Sequence, residues 1–180
     1  MDKKIPMDQE KKKIFLKQNT IFGLFIGLSF IIVSFAFYKM DKGISFNPQL
    51  NNVIMLLSIV GAFIGTRKYK EESLQGQISY SGALGTCVYI ITIASICYGL
   101  YIYLLYQQIP ALKEDYLNTF EAALKEVYPD SPLVDNMTAM LKVFTTPAAI
   151  ALGEIFNKIF SGSIFSLFLA GILRRNILKP

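Results

Sequence analysis

The feature that most constrains this chain is a set of long stretches without a charged residue. Residues 20–38 carry no charge, and neither do residues 73–112, whose apolar centre is 83–106. A helix needs about 20 apolar residues to cross the hydrocarbon core of a bilayer, so each stretch predicts a transmembrane helix. Hydrophobic residues make up 53% of the chain and charged residues only 17%, which excludes a disordered protein.

Two further stretches predict two more spans. Residues 49–66 follow the turn-like sequence Gly-Ile-Ser-Phe-Asn-Pro, and residues 147–173 follow Thr146, a candidate N-cap, with Pro147 at the first helical position. The sequence therefore predicts an all-α polytopic membrane protein with four transmembrane helices. One transmembrane domain covers residues 20–175, between a basic cytoplasmic segment at 1–19 and a cytoplasmic tail at 176–180. A cleaved signal peptide over the first span is the alternative and would leave three spans.

The distribution of Lys and Arg predicts the orientation of these spans. Twelve basic residues flank the spans on the side of the two termini, and five lie on the other side. Because cytoplasmic flanks are enriched in Lys and Arg, both termini are expected in the cytoplasm. The predicted location is the cytoplasmic (inner) membrane, with the protein crossing it several times.

The segment between spans three and four, residues 107–146, predicts an amphipathic helical hairpin on the outer side. Its first helix carries an apolar stripe at helical spacing: Leu112, Tyr116, Phe120, Ala123 and Val127. The sequence Tyr-Pro-Asp-Ser-Pro at 128–132 then breaks the helix, and Ser131 is the candidate start of a second helix with Val134, Met137 and Leu141 on one face. This segment is either a lid or docking surface, or a structural connector.

Small residues recur at helical spacing and predict close approach of helix backbones. The residues expected at such helix contacts are Gly23, Gly27, Gly61, Gly65, Gly82, Gly85, Gly162 and Ser166. In a protein with several spans, this pattern favours packing within one chain, and a homodimer seam is the alternative.

Glu154 and Lys158 are the ionisable residues inside a predicted span. They are four residues apart, so they can pair on one face of the helix. Their distance from the basic end of the span places them near the outer edge of the bilayer core, where Lys158 can extend outward to water. We expect an interfacial ion pair. A transport or binding role is the alternative, because charges within a membrane often mark functional sites.

The residue inventory argues against catalysis. The chain contains no histidine and only two cysteines, which excludes His-based catalytic sites, His-ligated metal sites and a disulfide scaffold. Nucleotide-binding, G-x-S-x-G and Cys-x-x-Cys motifs are also absent. We therefore expect no enzyme activity, catalytic residue, cofactor or metal. The basic residues flank spans without interleaved aromatics, so no nucleic-acid partner is expected.

The loop before span three carries a family resemblance. It contains Arg67 and Tyr69 in a basic stretch, then Gly76, then Ile-Ser-Tyr ending at Tyr80 and a small-residue helix start. This loop resembles the signature of a bacterial membrane family known as domain of unknown function 4199, with Ser81 where a Gly is frequent. The four-span layout over residues 20–175 is similar too. The resemblance implies fold and location, and no activity.

These observations predict a small inner-membrane protein that serves as a non-enzymatic accessory or structural subunit. The alternative is a small oligomeric transporter or channel. The expected partners are the lipid bilayer and either a second copy or other membrane proteins.

Overall fold

The computed structural model describes residues 7–129 and 132–174, and this part of the chain forms six helices. Their bounds are α1 Met7–Lys39, α2 Pro48–Ser73, α3 Tyr80–Gln108, α4 Pro110–Val127, α5 Pro132–Phe144 and α6 Pro147–Arg174. The four helices α1, α2, α3 and α6 are long and apolar enough to cross a membrane and contain the four predicted spans. The predicted all-α class with four apolar spans is thus confirmed. The predicted tail at 176–180 lies outside the described residues.

The helix ends follow from local sequence. The side chain of Asn47 accepts a hydrogen bond from the backbone N–H of Leu50 at 3.0 Å, and Pro48 occupies the first turn of α2. Thr146 caps α6 in the same way, accepting from the N–H of Ala149 at 3.1 Å. The turn-like sequence before α2 does form a turn, in which Gly43 has a φ of +67°. α1 begins well before the predicted first span, because its helix continues into the basic segment.

α3 lies at the centre of the arrangement. It packs most extensively against α6 and then against α1, and α2 contacts α1, α6 and α3. The buried residues divide into two clusters along the bundle. One lies toward α4 and includes Phe30, Ile54 and Tyr98, and the other lies toward the α2–α3 loop and includes Tyr69, Cys87 and Leu173.

The surface of the bundle is apolar, as a lipid-facing surface requires. Phe25, Phe160 and Phe168 are between 66% and 71% exposed. Inside the bundle, Ser95 and Ser166 are fully buried, and each hydroxyl donates to the carbonyl oxygen four residues earlier at 2.8 Å. Because such hydroxyls are satisfied within their own helix, small polar residues can pack between helices without an unpaired donor.

α4 and α5 are the two helices predicted between spans three and four. The apolar stripe of α4 is only partly covered: Tyr116 stacks against Phe46 with ring centres 4.8 Å apart, whereas Val127 is 66% exposed. In α5, Val134 is buried, whereas Met137 is exposed. The two helices contact each other. Their arrangement as a hairpin on the membrane remains a prediction, and Ser131 lies outside the described residues.

Candidate functional site

The predicted charged pair in α6 forms a contact. The ammonium of Lys158 lies 3.2 Å from the carboxylate of Glu154, one helical turn away. The side chain of Lys158 is only 7% exposed, and that of Glu154 is 29% exposed. The two charges therefore sit in different surroundings, with Lys158 toward the bundle and Glu154 toward its edge.

The structure corrects the expected direction of the Lys158 side chain. Its ammonium donates a hydrogen bond to the side-chain oxygen of Asn51 in α2 at 2.6 Å, and it lies 6.0 Å from the ring centre of Tyr98 in α3. Lys158 does not extend outward to water, because an amide oxygen and an aromatic face are available inside the bundle. This lysine thus links three helices.

The depth of this contact can be worked out from helix geometry. Sixteen residues separate Asn51 from Arg67, and sixteen separate Lys158 from Arg174. At 1.5 Å per residue, both positions lie about 24 Å along their helices from the basic end. With a hydrocarbon core about 30 Å thick, the contact lies about one turn inside the boundary at the α4–α5 end.

A cleft beside Lys158 runs between α2 and α6. Its volume is about 240 Å³. Most of its lining residues come from α2 and α6, and one comes from α3: Asn51, Asn52, Met55, Ser58, Ile59, Ile91, Asn157, Lys158, Ser161, Gly162, Phe165 and Leu169. Asn52 and Asn157 are exposed, so the cleft opens on the side of the bundle. It brings polar groups from two helices next to the buried lysine.

Tyr116 in α4 lies above this region. Burial raises the pKa of the Tyr116 hydroxyl, and the nearby negative charge of Glu154 raises the pKa further. The ring of Tyr116 also contacts that of Tyr106 with ring centres 6.3 Å apart. In turn, the hydroxyl of Tyr106 shares a hydrogen bond with Ser45 at 2.7 Å. α4 is therefore anchored over the end of the bundle that holds the charged pair.

The residues that carry the family resemblance lie at the end of α2, in the α2–α3 loop and at the start of α3, and they have structural contacts. Tyr69 is buried and packs edge-on against Phe15 of α1 with ring centres 5.4 Å apart. The Tyr80 hydroxyl donates to the carbonyl of Leu167 at 3.3 Å. Gly76 has a φ of +80°, which forms the turn between α2 and α3. These contacts hold the α2–α3 loop against α1 and α6.

Arg67, the remaining residue of the resemblance, lies in α2 on the surface of the protein. Arg67 pairs with Glu71 at 2.8 Å, and both side chains are about half exposed. Exposed pairs of this kind contribute at most ~1 kcal/mol. Beside them, the buried Lys70 donates to the carbonyl of Leu173 at 2.8 Å, which ties the end of α2 to the end of α6.

Most of the predicted small residues lie where helices approach closely. A Cβ atom at Gly23 would lie 2.9 Å from the carbonyl oxygen of Ile90, and one at Gly27 would lie 3.0 Å from that of Ala94. Further contacts join Gly61 to Ile26, Gly65 to Ile90 and Phe22, and Gly162 to Ile91, while Ser166 is fully buried. These glycines let α1, α2, α3 and α6 pack against one another.

Gly82 and Gly85 do not contribute to helix packing, so that part of the sequence prediction is wrong. A Cβ atom at Gly85 would meet nothing within 4 Å, and one at Gly82 would meet only Ser79 and Ile78 at the start of its own helix. Both glycines are exposed. They point away from the bundle because the buried side of α3 at this end is formed by Ala83, Thr86 and Cys87.

The sequence patterns did not indicate the packing role of Gly99 or the place of Asn51 and Tyr98 beside Lys158. A Cβ atom at Gly99 would collide with the side chain of Ile155, so this glycine lies at the α3–α6 seam. The sequence does contain a pattern that indicates Gly99, because Ser95 and Gly99 have the same four-residue spacing as the other pairs of small residues. Asn51 and Tyr98 became recognisable only once Lys158 was placed beside them.

Comparison with known proteins identifies the family to which the chain belongs. No curated protein and no solved structure matches the chain. A family model described as "Protein of unknown function (DUF4199)" matches residues 21–175. This range contains α2, α3, α4, α5 and α6 together with the apolar part of α1. The match confirms the resemblance seen in the loop before span three, and the chain belongs to the DUF4199 family.

Proposed function

We propose that this chain is a non-enzymatic integral protein of the cytoplasmic membrane that acts as an accessory or structural subunit. The observation that carries this proposal is that buried serine hydroxyls inside the bundle form hydrogen bonds within their own helices. The hydroxyls of Ser58, Ser95 and Ser166 all donate within their own helices at 2.8 Å. Each of these hydroxyls is therefore satisfied within its own helix and does not need a polar path through the bundle as a partner.

The close helix seams support the same proposal. Gly23 and Gly27 bring α1 against the backbone of α3, and Gly99 and Gly162 bring α3 against α6. A bundle closed in this way offers its lipid-facing surface, and not its interior, to other proteins. The expected partners are another membrane protein or a second copy of the chain, within the lipid bilayer.

Isolation from native membranes tests the accessory role. The tagged full-length chain, extracted in mild detergent, should copurify with a membrane protein in a fixed ratio, and chemical crosslinking before extraction should capture the same protein. Isolation of the chain alone under both conditions would contradict an accessory role.

A small oligomeric transporter or channel is the second candidate, and the buried Lys158 favours it. The contact of Lys158 with Asn51 places a charge inside the bundle, where charges often belong to transport paths. Replacing Glu154 by Gln together with Lys158 by Met tests this candidate. Loss of a solute flux or cellular phenotype by a variant that still folds would support transport, whereas an unchanged phenotype would support the accessory role.

The proposed orientation places both termini in the cytoplasm. It is supported by the basic residues near the start of α1, at Arg67 and Lys68, and at Arg174. Reporter fusions after Lys13 and after Glu72 should report the cytoplasm, and fusions after Asp41 and after Lys125 should report the outside. A cytoplasmic signal after Lys125 would contradict the proposed topology.

A further inference from the structure

The cleft between α2 and α6 has a polar end and an apolar end. Asn51 and Lys158 line the end near α4 and α5, about 24 Å along their helices from the basic boundary. Ile59 and Phe165 lie about two helical turns deeper, close to the bilayer centre, and Leu169 lies beyond it. The cleft therefore has the polarity of the bilayer beside it, polar near the boundary and apolar toward the centre.

The polar end offers hydrogen-bond donors to the side of the bundle. Lys158 has three N–H donors, and its contacts with Glu154 and Asn51 use two of them. Glu154 does not line the cleft, so the ammonium separates the carboxylate from the cleft. A ligand bound in the cleft would therefore contact the Lys158 ammonium and not the Glu154 carboxylate.

Asn157 adds an amide that is exposed on the lipid-facing side of α6. Its neighbours on the bundle surface are Phe156 and Phe160, which are 68% and 71% exposed. An amide at this depth requires a hydrogen-bond partner, because hydrocarbon chains offer none. Asn52 of α2 is exposed at the same end of the cleft. Two amides and one ammonium thus converge about one turn inside the hydrocarbon boundary, next to the headgroup layer of the leaflet at the α4–α5 end.

We propose that this cleft binds a membrane phospholipid from the leaflet at the α4–α5 end. Its phosphate lies at Lys158 with the amides of Asn52 and Asn157, and one acyl chain follows Ile59 and Phe165 into the bilayer centre. The remainder of the lipid stays in the bilayer, because the cleft is open on its side. This inference goes beyond the accessory role and does not depend on it.

Charge complementarity favours a phospholipid over a second copy of the chain. A symmetric dimer presents the same surface from both subunits, so a contact centred on this cleft would place the two Lys158 ammonium groups opposite each other, and the cleft lining would supply neither with an anionic acceptor. A phosphate carries the opposite charge to Lys158 and accepts several hydrogen bonds at once.

Native mass spectrometry of the purified full-length protein tests the proposal. The probes are phosphatidylglycerol, phosphatidylethanolamine and a diacylglycerol with the same acyl chains but no phosphate. The wild type should retain either phospholipid and should not retain the diacylglycerol. Lys158→Met should lower phospholipid affinity about tenfold or more, since a hydrogen bond to a charged group contributes at least that much.

A second pair of variants tests occupancy of the cleft without changing a charged residue. Ser161→Phe should fill the cleft and abolish phospholipid retention. Ser163→Phe is the matched control, because it makes the same change on the same helix outside the cleft lining, and it should bind lipid as the wild type does. If Lys158→Met fails to fold, the comparison of these two variants decides the question.

Helix content and monodispersity in detergent establish that each variant is folded. Equal phospholipid affinity in wild type, Lys158→Met and Ser161→Phe would overturn the proposal. Retention of diacylglycerol as strong as that of phospholipid would also overturn it, because the phosphate would then make no contribution. A stable dimer that loses its contact in Ser161→Phe but not in Ser163→Phe would assign the cleft to a second copy instead.

Discussion

Replacing Gly27 by Ala should destabilise the bundle, because the added methyl group would meet the backbone of α3. The new Cβ would lie 2.7 Å from the Cβ of Cys97, 3.0 Å from the carbonyl oxygen of Ala94 and 3.2 Å from the Cα of Ala94. Carbon atoms pack at about 3.5–4.0 Å, so the two helices must move apart by roughly 0.5–1 Å. No side-chain rotation can relieve a contact with backbone atoms.

The size of the effect follows from this separation. A gap of about 0.5–1 Å loses about a quarter to a half of the dispersion energy of each affected contact, and overpacking of this kind typically costs about 1–3 kcal/mol. Ala also favours a helix over Gly by up to about 1 kcal/mol, which works in the opposite direction. A control with the same propensity gain and no new contact is therefore needed.

Gly85→Ala provides this control, because a Cβ there would meet nothing within 4 Å. The propensity gain cancels in the comparison, so Gly27→Ala should be less stable than Gly85→Ala by about 1–3 kcal/mol. The measurement is the free energy of reversible unfolding by sodium dodecyl sulfate in mixed micelles, followed by circular dichroism. Equal free energies of unfolding for the two variants would refute the assignment of Gly27 to the α1–α3 seam.

Three further changes test other parts of the structure. Asn47→Ala should lower the free energy of unfolding by about 0.5–2 kcal/mol in the same assay, since it removes the cap of α2; an unchanged value would show that the cap contributes nothing. Phe46→Ala should speed amide hydrogen exchange in α4, because it removes the ring that stacks on Tyr116; exchange that stays as slow as in the wild type would mean that α4 is held elsewhere. The hydrogen bond and charge of Lys125 lower the pKa of Glu121 in α4. The pair therefore stabilises α4 above the ordinary pKa of a Glu carboxyl, and this contribution is lost as the pH falls through the lowered value. Amide protection factors in α4 should decrease slightly on acidification in the wild type and less in Glu121→Gln, and equal decreases would argue against the pair.

The sequence by itself determined the number of apolar helices and where the uncharged apolar part of each one lies. A span is recognised by the length of an uncharged apolar run, and its ends depend on neighbouring residues such as Asn47, Thr146 and Pro147. These properties are local, so they do not require knowledge of the neighbouring helices. The short segment around Tyr69 and Gly76 was sufficient for the same reason to indicate the family.

Only the tertiary structure decided which side of each helix faces inward. A membrane-spanning helix is apolar on all sides, so hydrophobicity does not distinguish the packed face from the lipid-facing one. Gly27 and Gly85 look equivalent in the sequence, yet one contacts α3 and the other faces open space.

The direction of Lys158 was decided in the same way. Its spacing from Glu154 predicted that the two could pair, and the local sequence offered a path outward to water. The acceptor that draws Lys158 inward is Asn51, which lies more than a hundred residues away in the chain. Because that contact forms only when α2 packs against α6, no pattern within α6 could predict it.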